Sequence, residues 1–288
     1  MNFLDTASSR MTQVQKVFLK YQVLTGQQPD PVFITGLLDA EPPLFRSVAY
    51  EAASMEIGLK DIEAGNDLTQ WKLFRQSRVK EHALHIDIGL GWALAKTETD
   101  PAPYTETLNP ILRGMVFDGI GYYSGLFRGR QTIKNRNLPA FAPGDDISGF
   151  DQGLGRRLWY TVKGEAKQLL ELLDTFPAAR HPDLWRGVGI ACGYVGGNSA
   201  ETLDILPLAS GKYNRDFRTG ILLAALSRLA SGTVTADIET SCRIITGKSL
   251  KDIEILLPQM IDKLHYLYKR GNENRWIAQL DSVLEQGN

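Results

Sequence analysis

Charged side chains recur beside a series of small residues, and their types suit acid–base chemistry. A carboxylate in an apolar setting can take up or release a proton near neutral pH, and a guanidinium can polarise a carbonyl oxygen. Each of these charges stands one or two residues before the first small residue of its segment. The candidate catalytic residues are Asp87, Asp118, Asp151, Arg186 and Arg218, and Glu51 stands in an equivalent place.

Aromatic side chains stand after the same small residues and are the candidates for holding a substrate. They are Trp92, Tyr122, Tyr123, Trp159, Tyr160 and Tyr194. If equivalent positions share one face of a repeat array, these rings and the charges would form an apolar groove with acid–base capacity. The acids could instead cap helices or satisfy hydrogen bonds between repeats. The sequence leaves both interpretations open.

Metal and nucleotide sites are not predicted. His82 and His85 have the spacing of two ligands on one helical face, but no second ligand cluster accompanies them. The segments beginning at Gly119 and Gly187 resemble dinucleotide-binding loops, yet neither follows a strand-like run, and their recurrence favours helix packing. No cofactor is therefore assigned.

The elements that position these residues are predicted from paired glycines. Pairs separated by one residue begin at positions 89, 119, 153 and 187, which lie 30, 34 and 34 residues apart, and Gly220 continues the series. Each pair opens an apolar segment rich in small and aromatic residues. Small residues at a recurring helix position permit close helix contact, which offsets their low helix propensity of about 1 kcal/mol. The pairs therefore indicate successive, closely packed helices.

A second helix fits between successive pairs, with Ser199 as one N-cap and Gly247 as one C-cap. The sequence therefore predicts an all-α fold of tandem two-helix repeats with a period of about 34 residues, either an α-solenoid or a closed α/α array. Residues 1–44 are predicted as an N-terminal helix and Pro-rich linker, with Ser8 or Ser9 as its cap. Residues 45–247 form the repeat domain, and residues 248–288 form capping helices of the same domain, kinked at Pro258.

Composition argues against several classes of partner. The net charge is −1 and the basic residues are dispersed, so nucleic acid is not an expected partner. No apolar stretch is long enough for a transmembrane segment, and no secretory signal is evident. Two cysteines without metal-type spacing suit a reducing compartment, so a cytoplasmic location is expected.

Four segments carry a resemblance to a known family. They read HIDIGLGWALA (85–95), FDGIGYYSG (117–125), FDQGLGRRLWY (150–160) and FPAARHPDLWRGVGIACGYVGG (176–197). In this order they resemble the signature blocks of domain of unknown function family seventeen-oh-two, over roughly residues 45–245. The resemblance implies a bacterial protein of specialised metabolism, because members accompany enediyne polyketide and other biosynthetic genes. It supplies no catalytic residues.

These observations support two hypotheses about function. In the first, the chain is a natural-product biosynthesis enzyme or enzyme subunit that holds a long apolar intermediate, such as a polyene or lipid, in the aromatic groove. In the second, it is a non-catalytic scaffold that binds another pathway protein, as concave helical-repeat surfaces commonly do. The sequence does not decide between these partners, and it does not decide whether the chain is an enzyme.

Overall fold

The computed structural model describes residues 6–28, 30–65, 67–106, 108, 110–140, 146–255 and 285, and these residues form an all-helical protein without strands. The helices are α1 (Ala7–Gln27), α2 (Pro31–Asp39), α3 (Pro43–Glu63), α4 (Thr69–Ser77), α5 (Val79–Thr97), α6 (Ala102–Thr105), α7 (Pro110–Phe127), α8 (Asp146–Thr161), α9 (Ala166–Leu173), α10 (His181–Val195), α11 (Ala200–Ala209), α12 (Asn214–Ala230), α13 (Ala236–Ser241) and α14 (Leu250–Glu254). The all-α prediction is confirmed.

Local capping explains where several helices begin and end. The Ser199 side chain accepts the backbone N–H of Thr202 at the start of α11, as predicted. Gly247, at φ 72°, ends the short π-helical turn that follows α13. The cap of α1 was predicted two or three residues too late, because the Thr6 hydroxyl accepts the N–H of Ser9 and both candidate serines lie inside the helix.

Six long helices form the body of the protein. In chain order α3, α5, α7, α8, α10 and α12 each pack against the next, while α4, α9, α11 and α13 lie against this series. Helix α1 packs on α3 and also contacts α10. Apolar side chains from α1 through α14 belong to one continuous buried cluster.

Close contacts between consecutive helices occur at the paired glycines. In α8, a Cβ on Gly153 would collide with the backbone of Asp118 in the preceding helix, and one on Gly155 would collide with Leu184 in the following helix. Residues two apart on an α-helix point about 200° apart, since each residue advances by about 100°. One glycine therefore faces each neighbour, and the backbones themselves are in contact.

The end of α12 returns to the beginning of the series. Arg228 is fully buried, and its Nη1 and Nη2 donate to the carbonyl oxygens of Pro43 and Leu44, each over 3.1 Å. The same guanidinium lies 3.7 Å from the centre of the Tyr194 ring. These bonds satisfy a charge that would otherwise be costly to bury, and they connect α12 and α10 to the start of α3.

Part of the predicted C-terminal capping region lies outside the described residues. These are residues 256–284 and 286–288, which include the kink predicted at Pro258. The division into 1–44, 45–247 and 248–288 remains a prediction. Among the helices that the structure describes, none combines the length and hydropathy required to cross a bilayer.

Candidate functional site

A cavity of about 600 Å³ lies among α1, α3, α5, α7, α8, α10 and α12. From α5 to α12, its wall includes the residues three and seven positions after the first glycine of each glycine pair, or after Gly220 in α12. These are Trp92, Tyr122, Arg156, Ile190 and Leu223, and then Lys96, Leu126, Tyr160, Tyr194 and Ser227. Positions four apart share one helix face, so each helix presents one stripe to the cavity.

Most of the cavity wall is apolar and aromatic. The Trp92 ring lies 4.6 Å from Phe18 and 5.2 Å from Tyr122, and Tyr122 meets Tyr160 edge-on at 5.7 Å. The indole N–H of Trp92 is buried and has no hydrogen-bond partner within the described part of the chain. A wall of this composition suits a ligand that is mainly hydrocarbon.

The cavity opens to solvent beside α1 and the end of α7. Leu19 and Phe127 both line it, yet they remain 59% and 62% exposed. Deeper lining residues such as Met55 and Ile88 are almost fully buried. A ligand therefore has a route from the surface to the interior.

A charged centre interrupts the apolar wall. The Nδ1 of His85 lies 3.1 Å from Oε2 of Glu51, and its Nε2 lies 3.1 Å from Oγ of Ser227. Nη2 of Arg156 lies 3.9 Å from the same Glu51 oxygen, and its Nη1 donates to Oδ1 of Asp118. All five side chains line the cavity. They converge from α3, α5, α7, α8 and α12.

Burial shifts the pKa values of several groups at this centre. It raises the pKa of Asp118 despite the nearby Arg156 guanidinium, and it lowers the pKa of His85 despite the hydrogen bond to Glu51. Burial also works against the charge of Arg156, but the carboxylates of Asp118 and Glu51 raise its pKa. The pKa of Tyr122 rises to about 12 through burial. The centre therefore combines a permanent cation with a neutral imidazole, and the phenol of Tyr122 beside it is neutral.

A hydrogen-bonded chain supports Asp118 from behind. Nε2 of Gln152 donates to Oδ2 of Asp118 over 2.8 Å, and Nε of Arg186 donates to Oε1 of Gln152 over 2.8 Å. Arg186 also donates to Oγ of Ser148. Asp118, Gln152 and Arg186 lie on consecutive long helices, each one position before the first glycine of its pair, and the chain holds the Asp118 carboxylate in place.

The structure separates the three aspartates that the sequence placed together. Asp118 lines the cavity. Asp87 is outside the lining and accepts Nε of Arg75 on α4 at 2.7 Å. Asp151 is likewise outside the lining and accepts Nε of Arg180 at 2.8 Å. Asp87 and Asp151 stand two positions before the first glycine of their pairs, whereas Asp118 stands one position before. One position turns a side chain by about 100° around the helix, so Asp118 faces different surroundings from the other two.

The two arginines predicted with them also lie outside the cavity lining. Arg186 belongs to the chain behind Asp118, one step removed from the cavity. Arg218 donates from Nη2 to the carbonyl oxygen of Thr246 over 2.9 Å, on the side of α12 that faces the π-helical turn. Both sets of hydrogen bonds fit the other interpretation of the recurring charges, in which they form hydrogen bonds between neighbouring elements.

Five of the six predicted aromatic residues line the cavity, namely Trp92, Tyr122, Tyr123, Tyr160 and Tyr194. Trp159 does not, since it is fully buried in the core one residue before Tyr160. The Trp159 side chain diverges from that of Tyr160 by about 100° around α8, and it packs in the buried core instead of on the cavity wall.

Sequence reasoning missed four of the residues at the charged centre as site candidates. In the sequence, Glu51 stands in the register of the recurring charges and His85 has the spacing of a metal ligand, but neither is among the candidate catalytic residues. Arg156 and Ser227 belong to neither pattern. A signal for Arg156 existed, since it occupies the position that Trp92 holds two helices earlier; Ser227 had none, because small polar residues are common on helices.

A metal site is not evident at the two helix histidines. Within the described residues, no group of three or more His, Cys, Asp or Glu is placed to hold a metal ion. His82 stacks on the Tyr50 ring at 4.0 Å, and burial lowers its pKa to about 3. His85 belongs instead to the charged centre.

Comparison with known proteins identifies one family. The family model described as "Protein of unknown function (DUF1702)" matches residues 4–274. No curated protein and no solved structure matches the chain. The matched range includes every helix that contributes to the cavity.

Proposed function

The chain belongs to the DUF1702 family, and we propose that it binds an elongated, mainly apolar small molecule in the cavity between its long helices. A polar group of that molecule would lie at the centre formed by Glu51, His85, Asp118 and Arg156. Following the family resemblance, we place this activity in bacterial specialised metabolism, where such a ligand would be a polyene or lipid-like intermediate.

The observation that carries this proposal is a charged centre inside an otherwise apolar cavity. Ligand cavities in proteins span roughly 300–1,000 Å³ and combine apolar walls with a few placed polar groups. The cavity here is about 600 Å³. It is large enough for a long-chain ligand, and its buried charged groups are concentrated at one place on the wall.

The buried charges are poorly explained by stability alone. Replacing a buried ion pair by well-packed apolar residues is often neutral or stabilising by roughly 1–4 kcal/mol. Asp118 and Arg156 are such a pair, and they are held where an apolar ligand would meet them. Perturbed titratable groups in a cleft favour a functional role.

The proposed cavity also implies a repeat arrangement of the helices. We propose that the six long helices are the inner members of tandem two-helix repeats with a period near 34 residues, and that these repeats form a closed array. The contacts of Arg228 with the start of α3 support closure. The recurrence of wall positions three and seven residues after each first glycine supports repetition. An open solenoid would leave such an interior exposed on one side.

A second candidate function is that of a scaffold for another pathway protein. Its specific support is an apolar surface on α2, where Val32 is 83% exposed and Phe33 is 52% exposed. Exposed apolar patches mark interaction sites more often than chance. This function does not require the cavity to be occupied.

The test is an organic extraction of protein purified from its native host, together with binding of a fluorescent conjugated polyene fatty acid. We expect a bound apolar molecule in the extract and saturable binding of the probe. Ile190→Trp should fill the cavity and weaken binding at least tenfold, because Ile190 is on the wall. Ile205→Trp on α11 is the matched control, since Ile205 is 37% exposed and off the wall.

An empty extract with no saturable probe binding would refute the binding proposal. The scaffold function would then be favoured by a stable complex with a pathway protein that is lost in Phe33→Ser and retained in Ile190→Trp. Equal loss of probe binding in both tryptophan variants would show that the probe does not bind in this cavity. That result would also count against the binding proposal.

A further inference from the structure

Three side chains on the cavity wall stand in the order carboxylate, imidazole, hydroxyl. Oε2 of Glu51 lies 3.1 Å from Nδ1 of His85, and Nε2 of His85 lies 3.1 Å from Oγ of Ser227. Each nitrogen has one partner, and the carboxylate can only accept, so Nδ1–H donates to Glu51 while Nε2 accepts from the serine hydroxyl. This is the tautomer that leaves Nε2 free to take a proton.

The arrangement is assembled by the tertiary structure. Glu51, His85 and Ser227 come from α3, α5 and α12, and all three are buried yet line the cavity. The Tyr194 ring lies 5.0 Å from the His85 ring and restricts its rotation. A carbonyl carbon of a bound ligand can therefore approach the serine oxygen without leaving the cavity.

A second buried serine and histidine provide a contrast within the same protein. Oγ of Ser47 lies 3.4 Å from Nδ1 of His82. Neither residue lines the cavity, and within the described residues His82 has no ion pair with a carboxylate. Of these two pairs, the one at the cavity has a carboxylate within hydrogen-bond distance of the imidazole.

We propose that Ser227, His85 and Glu51 form a nucleophile–base–carboxylate triad that cleaves an ester or thioester of an apolar acyl chain, with water as the acceptor. The inference rests on the proposed function, since it needs the acyl chain in the cavity. A nucleophile within hydrogen-bond reach of a base that is itself oriented by a third group is the signature of such catalysis, and it recurs on unrelated folds.

The reaction proceeds in two stages. The Ser227 oxygen bonds to the carbonyl carbon while its proton passes to Nε2 of His85. The bond to the alcohol or thiol then breaks, and the leaving group takes that proton. Water next attacks the acyl carbon and gives its proton to Nε2, the bond to Ser227 breaks, and the serine recovers the proton. The net change is ester or thioester plus water to acid plus alcohol or thiol.

The surroundings suit both stages. Burial lowers the pKa of His85, although the bond to Glu51 works the other way, so the imidazole is neutral and able to accept a proton at pH 7. Arg156 lies on the same wall, 3.9 Å from Glu51. It brings positive charge to the part of the cavity where negative charge would develop on the carbonyl oxygen.

The experiment uses the purified full-length protein and a fluorophosphonate that carries a decyl chain. The serine oxygen displaces fluoride from phosphorus, so labelling reports nucleophilicity without requiring the natural substrate. We expect one probe per chain, located by peptide mass spectrometry at Ser227. Ser227→Ala should abolish labelling, and Glu51→Gln should slow it at least tenfold. Ser47→Ala is the matched control and should label like the wild type.

Binding of the fluorescent polyene fatty acid is measured on the same proteins. Polyene binding in wild type and in Ser227→Ala, without labelling of wild type, would overturn the triad and leave the binding proposal standing. Labelling at another residue, or labelling that Glu51→Gln leaves unchanged, would also overturn it. If the wild-type protein neither binds the polyene nor is labelled, the proposed function itself is refuted.

Discussion

The contact between α7 and α8 is the most direct place to test the packing, because backbone meets backbone there. A Cβ added to Gly153 would lie 2.6 Å from the carbonyl carbon and 2.8 Å from the Cα of Asp118. Real Cβ atoms do not approach backbone this closely, and backbone has no alternative rotamer to adopt. Gly153→Ala must therefore push α8 away from α7.

The magnitude follows from two opposing effects. Overpacking a well-packed contact costs about 1–3 kcal/mol, and a collision with backbone belongs at the upper end of that range. Alanine recovers about 1 kcal/mol of helix propensity relative to glycine. The net loss of folding free energy is therefore about 2 kcal/mol, or a melting temperature lower by about 3 °C in a protein of 288 residues.

A matched control is available on α7. A Cβ on Gly114 would meet nothing within 4 Å. Gly114→Ala should therefore gain propensity without a collision, and stabilise the protein by about 0.5–1 kcal/mol. Thermal unfolding followed by circular dichroism, with urea unfolding for the free energies, compares the two variants with the wild type.

The displaced contact also reaches the cavity. Asp118 is the residue that Gly153 touches, and Arg156 lies on α8 three residues further on. Separation of the two helices should loosen this ion pair, so Gly153→Ala should weaken binding of the fluorescent polyene while Gly114→Ala leaves it intact. If both variants melt at or above the wild-type temperature, the close backbone contact of α7 and α8 does not exist and the arrangement of the cavity wall is wrong.

Three further predictions follow from buried groups. Arg156→Met should cost about 3–5 kcal/mol in urea unfolding because it strands Asp118, and Asp118→Leu/Arg156→Met should recover most of that loss; equal stability of the single variant and wild type would contradict this. Burial lowers the pKa of His82 to about 3 from its ordinary 6.5, so the unfolded chain takes up the proton first as the pH falls. The stability advantage of wild type over His82→Asn should shrink by about 2–3 kcal/mol between pH 7 and pH 4.5, and a constant difference would argue against a neutral buried ring. Burial raises the pKa of Cys192 and Cys242 to about 12, so both should resist iodoacetamide at pH 8 and react in urea; rapid labelling of either in the native protein would refute their burial.

Much of the fold was predictable from the sequence because its signals are local. Helix caps such as Ser199 and Gly247 act within one turn. The paired glycines indicated where helices touch, and the structure places Gly153 and Gly155 against the preceding and the following helix. What the pairs did not indicate was that α12 would return to α3, because that contact depends on the summed crossing angles of every helix between them.

The site was predictable only in part. Five of the six aromatic residues lie on the cavity wall because rings recur after the paired glycines, and Asp118 lies there because charges recur before them; their role in binding stays a prediction. Asp87 and Asp151 were grouped with it although they stand one position away in the register, and that single step turns a side chain by about 100°. The structure shows the consequence, since each of them pairs with an arginine outside the cavity.

The sequence by itself determined that this chain is helical, where several of its helices begin and end, and which residues bring helices into backbone contact. Only the tertiary structure decided which stripe of each helix faces the cavity, and that Glu51, His85 and Ser227 meet there. The physical reason is that propensity, capping and periodicity depend on neighbours within a few residues. Residues separated by 142 positions, such as His85 and Ser227, come together only when the long helices have all packed.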